Sequence, residues 1–153
     1  MDNVLTEHKW LAIFFPSPDG LMNRYNWIFG LHKLSVESLS VRSLEESRDI
    51  LESHTSVDSI FFVVDEMSMF PGENWRDDAV RFLKEYDRLY YANPDKLIYL
   101  IIVNTNNPDL KMARCWDWGP MVDVFILEDH LWEEIKPMFL NLMNDRKPRR
   151  CYT

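Results

Sequence analysis

Two groups of polar side chains follow directly after apolar runs and are the first candidates for chemistry in this sequence. One group follows residues 60–64 and the other follows residues 122–127. If both runs are strands of one parallel sheet, the groups meet at its carboxyl edge, where open α/β sheets bind ligands. Carboxylates beside an imidazole could hold a metal ion or transfer a proton, but carboxylates at strand ends are also natural helix N-caps. The residues of this predicted acidic cleft are Asp65, Glu66, Glu128, Asp129 and His130.

The common catalytic motifs are absent from the sequence. It contains no Gly-rich phosphate loop, no serine nucleophile elbow and no His-Glu-x-x-His. The two cysteines, Cys115 and Cys151, lack Cys-x-x-Cys spacing and an accompanying histidine cluster, which indicates free thiols. The sequence therefore favours a binding module over an enzyme, and we expect no resident cofactor or metal.

The length and charge of the chain limit its class and its partners. A chain of 153 residues can bury a single core, so we assign residues 1–145 to one domain. Residues 146–153 form a basic tail, which either aids solubility or contacts an acidic partner. A formal net charge of -8 argues against nucleic-acid binding, because phosphate contacts need clustered Lys and Arg. The longest apolar run, residues 97–103, is too short to span a membrane, so we expect a cytoplasmic protein.

Five apolar runs bounded by turn residues have the composition of strands. Three of them have the pattern of buried strands, residues 122–127 form a further strand, and residues 36–41 alternate imperfectly, which suits a short or edge strand. Segments with helical spacing separate and follow these runs. Such alternation predicts an α/β fold with one parallel five-stranded sheet, strand order 2-1-3-4-5, and helices on both faces. The predicted strands are residues 9–15, 36–41, 60–64, 97–103 and 122–127.

Capping signals mark the first three helices. Asp19 is available to cap the first helix, and Ser43 with Glu46 has the form of a capping box at the start of the second. Asn74 is a candidate cap for a long third helix that ends before Asn93. The predicted inward positions of the first helix are Leu21, Tyr25, Ile28 and Leu31.

The last two helices are less regular. A short fourth helix is expected within residues 107–119, and Asp129 is a candidate cap for the last helix. Pro137 would cost that helix about 3 kcal/mol through a lost hydrogen bond and a clash, so we expect a kink or a break there. The predicted inward positions of the last helix are Leu131, Ile135, Met138 and Leu142.

The segment Val63-Val64-Asp65-Glu66-Met67, followed by Phe70-Pro71-Gly72, is similar to the apolar strand, aspartate and Met-Pro loop of response-regulator receiver domains. The order of strands and helices over nearly the whole chain resembles the same family. The resemblance implies that Asp65 is a candidate phosphoacceptor and that Thr105, or Asn104, is a candidate switch residue. It implies a role for Mg²⁺ only if Asp65 accepts a phosphoryl group.

Two departures from the family pattern remove most of its phosphorylation chemistry. The family follows its first strand with an acidic pair that holds Mg²⁺, whereas this chain has Phe15-Pro16-Ser17. The family ends its fifth strand with a lysine, whereas this chain has Glu128 and Asp129, which would repel a phosphoryl group. The resemblance therefore implies a pseudo-receiver of the two-component type. Such a module would act through protein contacts, without conventional aspartyl phosphorylation.

Three tryptophans provide a candidate interface. Trp116, Trp118 and Trp132 would lie along the face formed by the fourth helix, the fifth strand and the last helix. Because tryptophan is a typical interface anchor, we predict that this face forms a homodimer or docks a protein partner. The three indoles could instead cover the sheet as core or boundary residues. Two other functions stay open, a phosphoacceptor regulator using Asp65 and a small metal-dependent enzyme using the acidic strand ends.

Overall fold

The computed structural model describes residues 9–15, 22–54, 56–65, 69–70, 73–103, 122–126 and 130–145. Five strands form one sheet in the order β2-β1-β3-β4-β5, and every neighbouring pair is parallel. The predicted α/β fold and strand order are therefore confirmed, with the run 36–41 at one edge. The strands are β1 (Trp10–Phe15), β2 (Val36–Ser40), β3 (Ser59–Asp65), β4 (Leu97–Val103) and β5 (Val124–Ile126).

Four helices lie within the described residues, and none of them is long and apolar enough to cross a membrane. Two pack on each face of the sheet, as their shares of the two buried clusters show. The short helix expected within residues 107–119 and the cap expected at Asp19 lie outside the described residues. The helices are α1 (Met22–Lys33), α2 (Leu44–Ser53), α3 (Trp75–Ala92) and α4 (Trp132–Asp145).

The start of α2 has the hydrogen bonds that its sequence predicts, with one difference. The Ser43 hydroxyl accepts a hydrogen bond from the backbone N–H of Glu46 at 3.3 Å. The Glu46 carboxylate accepts from the N–H of Arg42 at 3.4 Å, one residue before the position that a capping box uses. Both contacts occupy backbone donors that the helix itself cannot pair.

The start of α3 is at the predicted position but lacks the predicted side-chain bond. Asn74 is the N-cap residue, and its side chain makes no capping hydrogen bond. Its φ of -90° and ψ of 18° are close to helical values, whereas capping side chains reach the helix from an extended backbone. Asp77 and Asp78 in the first turn supply the negative charge that the helix dipole favours there.

One face of the sheet is covered by α2 and α3. The odd-numbered residues of β1 and the even-numbered residues of β3 and β4 pack there. The Phe15 ring lies 5.6 Å from both the Phe62 ring of β3 and the Phe82 ring of α3, measured between centroids. The Tyr86 ring meets Phe62 edge-on at 5.5 Å. Aromatic contacts therefore join α3 to the centre of the sheet.

The opposite face is covered by α1 and α4. Trp10, Phe61 and Tyr99 stack across three neighbouring strands, with centroid distances of 4.7 Å and 5.9 Å between successive rings. Phe139 of α4 meets Phe61 edge-on at 5.1 Å. The Tyr99 hydroxyl donates a hydrogen bond to the Leu142 carbonyl at 3.0 Å, so the polar end of this ring also attaches α4 to the sheet.

The inward face of α1 differs from the prediction. Tyr25 is 41% exposed, whereas Trp27 and Leu31 are buried and Ile28 is half-buried. Aromatic and aliphatic residues surround this helix, because Tyr25 and Phe29 lie on its outer side. Apolar spacing alone could not select the inward face of such a helix. The prediction that Tyr25 faces the core is therefore wrong.

The last helix also differs from the prediction in part. Helix α4 continues through Pro137, which is exposed, so of the two expected outcomes, a kink or a break, the break does not occur. Leu131 precedes the helix and is 51% exposed instead of inward. Ile135 is buried as predicted, and the most deeply buried side chains of α4 are Phe139 and Met143.

Helices α1 and α4 approach each other closely at Gly30. A Cβ atom on this residue would lie 2.1 Å from Cε2 of Trp132, so the indole occupies the space that any larger residue needs. A second contact lies beside it, because the Trp27 indole N–H donates to the His130 carbonyl at 2.8 Å. The two tryptophans therefore join the beginning of α4 to α1.

We expect Gly30→Ala to lower the free energy of unfolding by about 1–3 kcal/mol, because the added methyl group must displace the Trp132 ring. A decrease in stability would be diagnostic of the contact with Trp132, since replacing glycine by alanine in a helix interior ordinarily raises the free energy of unfolding by about 1 kcal/mol. Urea denaturation monitored by circular dichroism measures the change.

Trp132→Leu provides the matched background for this substitution, because it removes the indole that the methyl group would meet. In that background Gly30→Ala should be neutral or stabilising. An equal loss of stability in both backgrounds would contradict the packing explanation.

Candidate functional site

Asp65 is the last residue of β3, the middle strand of the sheet. It is half-buried and lies in register with Val103 of β4, while its neighbour Val64 pairs with Phe15 of β1. The carboxylate is therefore at the carboxyl edge of the sheet, between the ends of β1 and β4. The sequence predicted this position because the apolar run of β3 stops at the first acidic residue.

The strand residues beside Asp65 are apolar. Its row of the sheet continues from Val103 to Ile126 of β5, and both side chains are buried. The preceding row ends at Phe15 of β1, which is fully buried. Strand residues in register with Asp65 therefore supply no further oxygen ligands and no side-chain charge within the described residues.

Most of the other predicted site residues lie outside the described residues, as does the basic tail 146–153. They belong to the segments that follow β3, β4 and β5, and they comprise the predicted acidic partners, the switch candidate and two of the interface tryptophans. These residues are Glu66, Glu128, Asp129, Thr105, Asn104, Trp116 and Trp118.

The apolar part of the loop motif after β3 has a packing role. Phe70, from the Phe70-Pro71-Gly72 segment, is 5% exposed. Its ring meets Phe82 of α3 edge-on, with a centroid distance of 5.6 Å. Burial of this phenyl ring against α3 therefore gives Phe70 a packing role.

His130 is engaged at the start of α4. Its carbonyl accepts the hydrogen bond from Trp27, and its Nδ1 lies 4.0 Å from Oε1 of Glu134. The same Glu134 oxygen accepts a hydrogen bond from the backbone N–H of Leu131 at 2.9 Å. The sequence did not lead us to predict this role of Glu134. Leu131 directly precedes α4 and Glu134 lies three residues later, which is the spacing of the carboxylate in a capping box.

Trp132 is the one predicted interface residue that lies within the described residues. It is half-buried, packs over Gly30 of α1, and lies 5.9 Å from Phe139 between ring centroids. The indole therefore makes boundary contacts on the α1 side of α4. The other two predicted anchors of the interface are Trp116 and Trp118, which belong to the segment in which a short helix was predicted, residues 107–119.

The described residues contain no cluster of three or more His, Cys, Asp or Glu side chains that could hold a metal ion. The acids on which the metal-dependent alternative depends are Glu66, Glu128 and Asp129, which lie outside these residues. A single carboxylate in an apolar row is a poor site for Mg²⁺, which prefers six oxygen ligands in octahedral geometry. Asp65 and its described strand neighbours alone therefore do not form a metal centre.

Comparison with known proteins does not assign a family to this chain. No protein-family model matches the sequence, and no curated protein matches it. The resemblance to receiver domains therefore stays a prediction from the residues quoted above.

We expect Mg²⁺ to leave the melting temperature at the value that NaCl of equal ionic strength produces, because the strand neighbours of Asp65 offer no additional ligands. Differential scanning fluorimetry with both salts measures this. A saturable rise with Mg²⁺ that Asp65→Asn removes would contradict the expectation and support a metal-dependent site.

Proposed function

We propose that this chain is a receiver-like signalling module that binds a protein partner, or a second copy of itself, without conventional aspartyl phosphorylation. The observation that carries the proposal is the combination of a parallel 2-1-3-4-5 sheet with Asp65 at the end of its middle strand and apolar residues in register beside it. The strand order and the position of Asp65 are compatible with a phosphoacceptor scaffold, whereas the acidic pair and the lysine of the receiver pattern are absent from the sequence that follows β1 and β5. Fold alone does not determine function, so the proposal depends on these residues.

The sequence around the strand ends supports loss of phosphorylation. After β1 the chain continues as Pro16-Ser17 instead of an acidic pair, and after β5 it continues through Leu127 to Glu128 and Asp129. A lysine in the receiver pattern would neutralise phosphoryl oxygens, whereas carboxylates repel them. Both departures lower the affinity of such a site for a phosphodonor.

Interaction through the surface is the role that such a scaffold retains. β5 is an edge strand of three residues, and Val124 and Phe125 are only half-buried among the described residues. The segment between β4 and β5 contains Trp116 and Trp118, whose indoles are suited to anchoring a protein interface. We assign the interaction to these two indoles together with β5 and α4.

The homodimer form of the proposal predicts a mass of two chains in size-exclusion chromatography with light scattering. Trp116→Ala combined with Trp118→Ala should shift the mass to one chain, because the two variants remove the proposed anchors. Phe29→Ala is the matched control, since this ring is 64% exposed on α1, a helix that is not assigned to the proposed interface. The Phe29→Ala variant should stay dimeric.

A mass of one chain for the wild-type protein over a wide concentration range would contradict the homodimer. Circular dichroism of each variant separates a lost interface from a lost fold.

Asp65 as a working phosphoacceptor is the second candidate, and its half-buried position at the end of β3 favours it. We expect no added phosphoryl mass when the protein is incubated with Mg²⁺ and acetyl phosphate, because the predicted acidic surroundings disfavour the donor. Intact mass spectrometry measures this. An adduct that is lost in Asp65→Asn and kept in Asp95→Asn, an exposed control, would establish the phosphoacceptor function instead.

A further inference from the structure

A groove of about 490 Å³ lies between the second halves of α2 and α3. Lys96, at its edge, directly precedes β4, so the groove is at the amino end of the sheet. Asp65 lies six strand residues further along, roughly 20 Å away at the usual rise of a strand. The groove is therefore separate from the carboxyl edge, and its volume is typical of small-molecule sites.

Four of the five charged side chains that line the groove have no partner within the described part of the chain. Arg48 and Glu52 belong to α2, Arg88 belongs to α3, and Asp95 follows α3. All four are exposed, and none makes a hydrogen bond or an ion pair with the described part of the chain. Arg48 precedes Glu52 by four residues, which is the less favourable order for a helix ion pair. Both signs of charge are therefore available to a ligand.

Three cations and two carboxylates line the groove, with Glu52 one turn after Arg48 on α2 and Lys96 directly after Asp95. Arg48 and Arg88 stand on opposite walls, each about one turn before the end of its helix. Asn93 and Asp95 lie beyond the end of α3, where the helix dipole also favours a positive group. The Asn93 amide nitrogen donates to the Leu89 carbonyl at 2.8 Å, which leaves its side-chain oxygen as an acceptor.

The floor of the groove is apolar. Leu51 and Leu89 line it and are almost fully buried, and Ala92 lies beside them. Lys96 is held at the edge, because its Nζ donates to the Val57 carbonyl. A ligand that reaches the floor can therefore bury an apolar body while charged groups of the walls remain at its two polar ends.

We propose that this groove binds a free amino acid with an apolar side chain. Its carboxylate lies between Arg48 and Arg88, its ammonium group faces Asn93 and Asp95, and its side chain covers Leu51 and Leu89. A zwitterion can contact groups of both signs, whereas an anion or a cation alone meets repulsion from the groove charges of its own sign. The proposal is independent of the protein interaction that is assigned to Trp116, Trp118, β5 and α4.

Titration of the ¹⁵N-labelled full-length chain with L-phenylalanine tests the proposal. We expect saturable shifts of the backbone amides of Leu51, Leu89 and Asn93, with a dissociation constant in the millimolar range, as befits a small ligand. Phenylacetate lacks the ammonium group and phenethylamine lacks the carboxylate. Each should bind at least about tenfold more weakly, because one charge-assisted contact is lost. Glycine, which lacks the apolar body, should also bind more weakly.

Substitutions at the two polar ends should separate their roles. Arg88→Gln should weaken binding of L-phenylalanine about tenfold, because the carboxylate loses a partner, and should not weaken binding of phenethylamine, which loses only a repelling charge. Asp95→Asn should weaken binding of L-phenylalanine and should not weaken binding of phenylacetate, for the corresponding reason. Arg81→Gln is the matched control, since Arg81 lies on α3 outside the groove and pairs with Asp78 at 3.6 Å. It should leave every affinity within a factor of about two.

Three results would overturn the proposal. One is the absence of saturable shifts at these amides at several tens of millimolar ligand. Another is equal affinity for L-phenylalanine and for either single-charge probe, which would exclude zwitterion recognition. A third is an effect of Arg81→Gln as large as that of Arg88→Gln, which would indicate only a general response to charge.

Discussion

Burial of both faces of β3 is the constraint on which the rest of the structure depends. Ile60, Phe62 and Val64 pack against α2 and α3, whereas Phe61 and Val63 pack against α1 and α4. Each of these side chains contributes about 1.5–3 kcal/mol when it is removed from water. That gain requires helices on both faces, which parallel crossovers provide. The same crossovers bring the carboxyl ends of all strands to one edge, so the position of Asp65 follows from the burial of the strand that precedes it.

The attachment of α4 explains why its sequence tolerates a proline. The Tyr99 hydroxyl holds the Leu142 carbonyl near the end of the helix, and the Trp27 indole holds the His130 carbonyl just before its beginning. Between these contacts, Phe139 is fully buried against the sheet. Pro137 removes one helical hydrogen bond on the exposed side, where water can reach the freed carbonyl. Tertiary contacts at both ends and in the middle therefore outweigh a local preference for a break.

How well the sequence predicts each element depends on how one-sided its apolar pattern is. Strand β4 has the predicted bounds, and α3 begins and ends where the residues at 74 and 93 indicate, because apolar runs and capping residues mark both ends. The inward face of α1 could not be derived, since Tyr25 and Phe29 are apolar on its outer side and only contact with α4 selects Trp27 and Leu31. The close approach at Gly30 was likewise missed, because it depends on a residue about a hundred positions away.

The sequence predicted the position of Asp65 but not the groove between α2 and α3. The position of Asp65 follows from the end of an apolar run, which is local information. The charges of the groove between α2 and α3 come from three separate segments, and no spacing along the chain indicates that they meet. Composition does not indicate this groove either, because the net charge of -8 suggests repulsion of anions over the whole molecule. Unpaired arginines on two helices create a local exception to that charge.

The two ends of the sheet therefore differ in the ligands they can accept. At the carboxyl edge, the apolar row beside Asp65 supplies no strand cation, and the sequence after β5 adds only carboxylates, so an incoming phosphoryl group gains little attraction from these positions. At the amino end, charges of both signs surround a buried apolar floor. A ligand of one sign would satisfy half of those charges and be repelled by the other half. The proposed preference for a zwitterion depends on charged groups that are not paired with one another. An ion pair between two of them would remove that preference.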